Sequence, residues 1–531
     1  MATTEELEAS FAPSVLKHAK AKYEQLDKKG KWDAFLKNLA DPASGEPLPI
    51  KVNLNEAISQ YFISSSHNTY LTGNQLWSKA STDPYKEVLK RGCRCIEVDV
   101  WDGDAPSAST SPSSSDDEGP VKEKPKSGSN AGDGDVNKLA GLVKKGLGRI
   151  RSASSSKPPP EVAAPQAPED PNIMPTPWRT NSRAEPRVLH GYTATKEISF
   201  RAVCEVIRDY AFTATDLPLI VSLEVHCSHE QQEVMVEIMR DYWQHYLVPV
   251  PKDFSDSTPL PPLSTLKKKI LIKVKYTPPD KKSKSSSGKS KEKTEKESEE
   301  EDQVDPAKKG KILEELSKMG VYVRSCHFDA LDQPEAKIPT HIFALSESKV
   351  ISLLEQDRTG LFKHNLEYLM RAYPKGTRVR SSNLDPGPFW RQGVQIVALN
   401  WQQTNAAMMM NEAMFAGSGG WINKPDGYRK ATKGEQPAIK RIGADLYMQV
   451  LAAQKLDQDK SSTPNVFIKA EIHVESQTEK EAGSIPDGGK NRGGEWKRKS
   501  AVRHSKDPDF GGDTLEFKGV EGLIPELSFV R

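Results

Sequence analysis

A strand-forming apolar lead that breaks into a polar cluster occurs five times in this chain. Tyr61-Phe-Ile-Ser-Ser-Ser-His-Asn-Thr-Tyr-Leu71 ends on His67 and Asn68. CIEVDVWDG carries Glu97 and Asp99, RVLHGYT carries His190, LIVSLEVHCS carries Glu224, and ILIKVK carries Lys273 and Lys275. One such strand is weak information. Five in order point to an α/β barrel, in which the active site collects residues from the carboxyl ends of successive strands. Glu97 and Asp99 are two residues apart, as are Lys273 and Lys275, so each pair projects to one side of its strand. That side is expected to be the barrel axis.

Composition narrows the function classes. The 531 residues suffice for three or more domains and a sizeable core. A formal net charge of +2 carries no nucleic-acid signature. Cys93, Cys95, Cys204, Cys227 and Cys326 are odd in number and lie in apolar segments, which argues against a disulfide framework and for a reducing cytosol. Cys93 and Cys95 lack the second pair a zinc site needs. The amino terminus, MATTEELEAS, is acidic and without the apolar core of a secretory signal. No stretch approaches the roughly 20 apolar residues that span a bilayer. The expectation is a cytoplasmic monomer with no nucleic-acid partner.

The order and wording of the segments resemble the eukaryotic phosphoinositide-specific phospholipase C family, in its delta-like, fungal form. SSSHNTYL, CRCIEVDVWDG, HGYT and SLEVHCS resemble its X region; YPKGTRVRSSN and FWRQGVQIVALNWQ resemble its Y region. The resemblance covers roughly Val52 to Gly103, Arg187 to Tyr276 and Val321 to Pro425. It implies a TIM-like (β/α)8 barrel split into X and Y halves by a disordered linker. A partial all-β C2-like sandwich follows.

The family match also implies roles. Asn68, Glu97, Asp99 and Glu224 would hold calcium, a hard cation that takes oxygen ligands. His190 would protonate the leaving group and His67 would stabilise the pentacoordinate phosphorane, with Glu97 or Glu224 assisting deprotonation. Histidine suits both tasks because its pKa lies near the operating pH. Lys273, Lys275, Ser346, Arg371 and Tyr373 would contact the phosphorylated headgroup, and a register two residues earlier would replace Ser346 by Ala344. Two inward lysines are costly without an anion between them.

The resulting expectation is a calcium-dependent enzyme that cleaves phosphatidylinositol 4,5-bisphosphate to diacylglycerol and inositol 1,4,5-trisphosphate. The inositol 2-hydroxyl would attack phosphorus. The alternatives are a catalytically silent scaffold of the same fold and a barrel phosphodiesterase acting on glycerophosphodiesters. Such an enzyme would visit an anionic membrane surface transiently.

Five regions follow from the pattern: a short helical lead at 1–50, the X half at 51–276, a linker at 277–310, the Y half at 311–430, and the partial C2-like region at 440–531. Ser, Pro, Gly and Asp runs at 104–186 read as a disordered insertion. Within it, Val136 to Arg151 combines apolar residues at helical spacing with Lys144, Lys145 and Arg149, a pattern suited to a membrane surface. Leu76 and Trp77 are further membrane-contact candidates. Ala194 and Thr377 stand where the family is often bulky and aromatic. In the lead, Val15, Leu16, Ala19, Tyr23, Leu26, Trp32, Phe35, Leu36 and Leu39 are available for one apolar face. The short final sandwich is expected to leave a strand edge exposed. Calcium binding by Asp457 and Asp459 there is doubtful, since a later acidic loop is missing.

Overall fold

A computed structural model describes residues 3–26, 31–41, 47–104, 183–277, 312–431, 434–457, 461–475, 482–485, 489–492 and 495–531. Lys144, Lys145, Arg149, Asp459 and residues 278–310 of the linker lie outside the described residues.

Eight parallel strands form a closed ring: β1 Tyr61–Ser66, β2 Cys95–Trp101, β3 Leu219–Val225, β4 Ile270–Lys273, β5 Arg324–Cys326, β6 His341–Ser346, β7 Leu369–Tyr373 and β8 Ile396–Leu399. β8 returns to β1 through Ile63↔Ile396 and Ala398↔Ser65, also in parallel. The seam between β4 and β5 is the thinnest. It is held by a parallel bridge from Lys275 to Ser325 and by Ser325 N–H donating to the Val274 carbonyl at 3.0 Å. The barrel expected from the five segments is observed, but only four of the five are barrel strands, since RVLHGYT contributes a short antiparallel addition to β2.

Strand parity sorts the side chains. Phe62, Ile96, Val98, Val221, Phe343 and Val397 face outward into the core shared with the surrounding helices. Ile63, Cys95, Ile220, Leu271, Ile342 and Leu369 meet inside, at the amino end of the barrel. Side chains buried on both faces explain why these strands read as near-continuous apolar runs. With a period of two, the next inward positions are Glu97, Ser222, Lys273, Ala344 and Arg371, followed by His67, Asp99, Glu224, Ser346, Tyr373 and Asn400. Inward-facing polar groups therefore accumulate towards the carboxyl end.

A short antiparallel strand, Arg187–Val188, pairs with the end of β2 through Val100↔Val188 and delivers the chain to His190.

Beyond the barrel the chain is all β. Ile442–Ala452 pairs antiparallel with Asp509–Leu523, and Lys469–His473 lies between Glu495–Lys499 and Phe529–Val530. Ala470, Ile472, Val474, Leu515 and Phe517 form its core. Phe529 reaches the barrel, its ring centroid 5.7 Å from that of Trp390.

The amino-terminal lead consists of the helices Thr4–Ala9, Pro13–Gln25 and Trp32–Ala40. Tyr23, Trp32 and Phe35 pack ring against ring, whereas Leu26 and Leu39 are exposed and do not join the apolar face expected of them. This lead docks on the β region: Ala12 N–H donates to Gln454 Oε1 at 2.7 Å, and His18 Nε2 lies 2.8 Å from Asp509 Oδ1. The long ribbon thus has a helical neighbour beside Gln454 and Asp509. Among the described residues all five cysteines are free thiols, and no helix is long and apolar enough to cross a membrane.

Candidate active site

The mouth of the barrel is built on β1, β2, β3, β4 and β7. His67 follows β1 directly, and its backbone N–H donates to the Leu399 carbonyl at 2.8 Å. Asn68 then turns the chain with φ of 42°, a left-handed conformation that asparagine tolerates better than most residues. That turn sends Asn68 N–H onto Glu97 Oε2 at 2.9 Å. Asn68 Nδ2 is committed to Gln75 Oε1 at 2.9 Å, which leaves its Oδ1 as the ligand atom on offer.

Both catalytic candidates have a fixed tautomer. His190 Nδ1 lies 2.6 Å from the Gln75 carbonyl oxygen, which can only accept, so Nδ1 carries the proton and Nε2 is the working atom. His67 Nδ1 lies 2.9 Å from Asn400 Oδ1, and the Asn400 amide donates to the Ser382 carbonyl, which orients it to accept from His67. Burial lowers the His67 pKa, with Glu97 opposing and Arg371 reinforcing the shift. Its ring lies parallel to that of Tyr373, centroids 6.3 Å apart.

Oxygen atoms of Glu97, Asp99 and Glu224 lie within 4.8 Å of one another. Burial pushes the Glu97 carboxyl up, but Arg371 and His67 outweigh it and hold the group below the usual range. The Arg371 guanidinium is 2.8 Å from Glu97 Oε2. Asp99 behaves in the opposite way: burial, then Glu224 and Glu97, raise its pKa well above the ordinary value. Tyr70 donates its hydroxyl to Asp99 Oδ2, while Asp99 Oδ1 is buried without a hydrogen-bond partner. Clustered carboxylates that resist joint ionisation, with an orphaned oxygen among them, suit a divalent oxygen-seeking cation. The residues present therefore fit calcium.

Two buried cations stand across from these carboxylates. Arg371 is 2% exposed and Lys273 is 6% exposed. Lys273 Nζ donates to Ser222 Oγ at 3.2 Å, and burial, followed by Arg371, brings its pKa down to about 8. Lys275 lies one inward step further on and is exposed, so the burial cost expected of the lysine pair falls on Lys273 alone. Ser346 pairs with Tyr373 at the mouth, and its Oγ accepts from Lys349 N–H as the cap of helix Glu347–Glu367. Ala344 lies one step deeper, opposite Arg371.

Around the rim, Trp77 is 53% exposed and Leu76 half-buried, with the Leu76 carbonyl accepting from Ala194 N–H at 3.0 Å. Ala194 and Thr377 are exposed. Sequence reasoning passed over Tyr192, which is 75% exposed beside His190, and the supports Tyr70, Gln75, Trp101, His226 and Asn400. Asn400 was within reach, since it continues the inward parity of Ile396 and Ala398.

The phosphatidylinositol-specific phospholipase C X domain matches residues 54–276, and the Y domain of the same family matches residues 316–427. This chain belongs to the phosphatidylinositol-specific phospholipase C family. Members similar to it include 1-phosphatidylinositol 4,5-bisphosphate phosphodiesterase 1 of Candida albicans, 33% identical over 71% of this chain and 32% of the relative. The delta-1 phosphodiesterase of Rattus norvegicus is 30% identical over 70% of this chain and 41% of its own length. The chain thus spans 32% to 41% of the length of these relatives. In fold it is similar to L. pealei PLC21, with a TM-score of 0.63 and 24% identity, covering 98% of this chain and 56% of that one.

Proposed function

We propose that this protein is a calcium-dependent phosphoinositide phospholipase C, organised as barrel halves 51–276 and 311–430 with a C2-like region at 440–531. The observation that carries the reading is the convergence of two histidines with free Nε2 atoms, three clustered carboxylates and two buried cations at one barrel mouth. The names of the relatives support a phosphatidylinositol 4,5-bisphosphate substrate.

Calcium held by Asn68, Glu97, Asp99 and Glu224 would neutralise phosphate charge and acidify the inositol 2-hydroxyl. Attack of that hydroxyl on phosphorus expels the diacylglycerol oxygen, and protonated His190 Nε2 delivers the proton it needs. His67, once protonated at Nε2 as well, would donate to the phosphoryl oxygens on which charge builds. Glu97 or Glu224 takes the hydroxyl proton. Water then opens the cyclic phosphodiester, releasing inositol 1,4,5-trisphosphate.

Lys273 and Arg371 supply the countercharge that a headgroup phosphate requires, with Lys275, Ser346 and Tyr373 nearer the solvent. A glycerophosphodiesterase would have no use for these buried cations, which is why the polyphosphorylated lipid is preferred. Leu76, Trp77 and Tyr192 form an apolar rim suited to dipping into a bilayer, so the enzyme would be recruited transiently from the cytoplasm.

The test is release of water-soluble inositol phosphates from vesicles containing phosphatidylinositol 4,5-bisphosphate across a calcium titration, beside a His67→Ala control. Calcium-dependent release that vanishes in the variant is the expected result. No release at any calcium concentration from folded protein would favour the silent scaffold.

A further inference from the structure

Each of the three clustered carboxylates has a dedicated side-chain neighbour. Glu97 has Arg371 at 2.8 Å, a residue the substrate reading already uses. The other two neighbours have no role in that reading. Tyr70 is fully buried and donates to Asp99 Oδ2, while the other carboxylate oxygen, Oδ1, has no hydrogen-bond partner. His226 Nε2 lies 2.9 Å from Glu224 Oε1. We propose that Tyr70 and His226 are positioning residues that fix the rotamers of Asp99 and Glu224 and thereby set the calcium affinity of the site.

The support behind each is rigid. Tyr70 sits in the turn after β1, where its carbonyl accepts from Ser81 N–H at 2.9 Å. Its ring has no solvent-facing surface, so the hydroxyl has one place to point. Bound on one oxygen by that hydroxyl, Asp99 can turn only Oδ1 towards a cation.

Glu224 is more than half exposed at the mouth and would otherwise sample several rotamers. His226 restrains it. The His226 backbone N–H continues the strand ladder, donating to the Val100 carbonyl at 2.8 Å. Its imidazole lies flat on Trp101, with centroids 4.1 Å apart and planes within 12°. On the same indole, a Cβ built at Gly191 would come within 1.8 Å of Cζ2, so the backbone beside His190 is pressed against Trp101. One ring therefore braces both the loop that carries His190 and the imidazole that holds Glu224. A donor that orients a metal-binding side chain typically changes affinity about 10–100-fold when removed.

This inference rests on the calcium reading, and the test separates the two. Calcium binding to the full chain is measured directly by titration calorimetry without lipid, for the wild type, Tyr70→Phe, His226→Phe and His226→Gln. Melting temperatures in chelator confirm folding. Phe at 70 removes only a hydroxyl; Phe at 226 keeps the stack and removes the donor; Gln restores a donor. The expected result is a calcium dissociation constant raised about tenfold or more by each Phe variant and partly recovered by Gln. Wild-type affinity in both Phe variants, with calcium binding intact, would overturn the positioning role alone. No calcium heat from the folded wild type would overturn the metal reading and this inference with it.

Discussion

The two ends of the barrel are made from the same strands by opposite chemistry. At the amino end, Ile63, Ile220, Leu271 and Ile342 fill the interior with hydrocarbon. Two or four residues beyond Cys95, Leu271 and Leu369 of that same layer, the interior holds Glu97, Asp99, Lys273 and Arg371. The apolar end stabilises the fold through burial at roughly 25 cal/mol per Å². The polar end costs stability, because charges taken from water are recovered only in part by their mutual attraction. The barrel tolerates its active site because the apolar half holds the strands in register.

That contrast is broken most sharply by substitution at each end. His190→Ala should lower inositol phosphate release by about 10²–10⁴-fold with an unchanged melting temperature, measured on vesicles. Leu271→Ala should do the reverse, costing about 2–5 kcal/mol in chemical denaturation while the folded fraction keeps its turnover. Loss of activity and stability together at either position would refute the division of labour.

A smaller effect tests the cost of the polar end. Lys273 has its pKa depressed to about 8 in the folded protein, below the ordinary value near 10.4 of an unfolded chain. Between these values the unfolded state binds more protons than the folded one, so stability rises with pH across that window and is lost as pH falls through about 8. Lys273→Met should therefore stabilise the protein at pH 7, by about 1–3 kcal/mol. The advantage should fade as pH climbs towards about 10.4. Thermal melts across pH follow this, and a pH-independent difference would contradict it.

The smallest effect concerns the rim. Trp77→Ala or Tyr192→Ala should weaken adsorption to anionic vesicles by about 1–2 kcal/mol each, and cleavage of a soluble substrate should not change. Equal losses on both substrates would place these residues in the site rather than at the membrane.

Much of this was legible beforehand for one reason. Barrel strands announce themselves as apolar runs, and an inward position repeats every second residue, so Glu97 with Asp99 and Lys273 with Lys275 could be placed on one side without coordinates. Parity says nothing of depth, however, which is why Lys275 emerged exposed while Lys273 is enclosed. Side chains that act on other side chains were harder still. Tyr70 and His226 lie within the quoted motifs, yet their partners are 29 residues away in one case and two in the other. The first spacing carries no periodic signal, and the second puts His226 on the side of Glu224 without showing that it holds the carboxylate. The helical lead shows a third kind of gap, since docking of His18 beside Asp509 depends on surfaces far apart in the chain.

The contact between Gly191 and Trp101 also constrains how this site can change over generations. Any side chain at 191 collides with an indole already in place. A lineage could enlarge 191 only after 101 had become smaller, and that first step would leave His226 without its platform. The order of events is thus dictated, and the earlier event is the damaging one, so both positions should persist together or be replaced together.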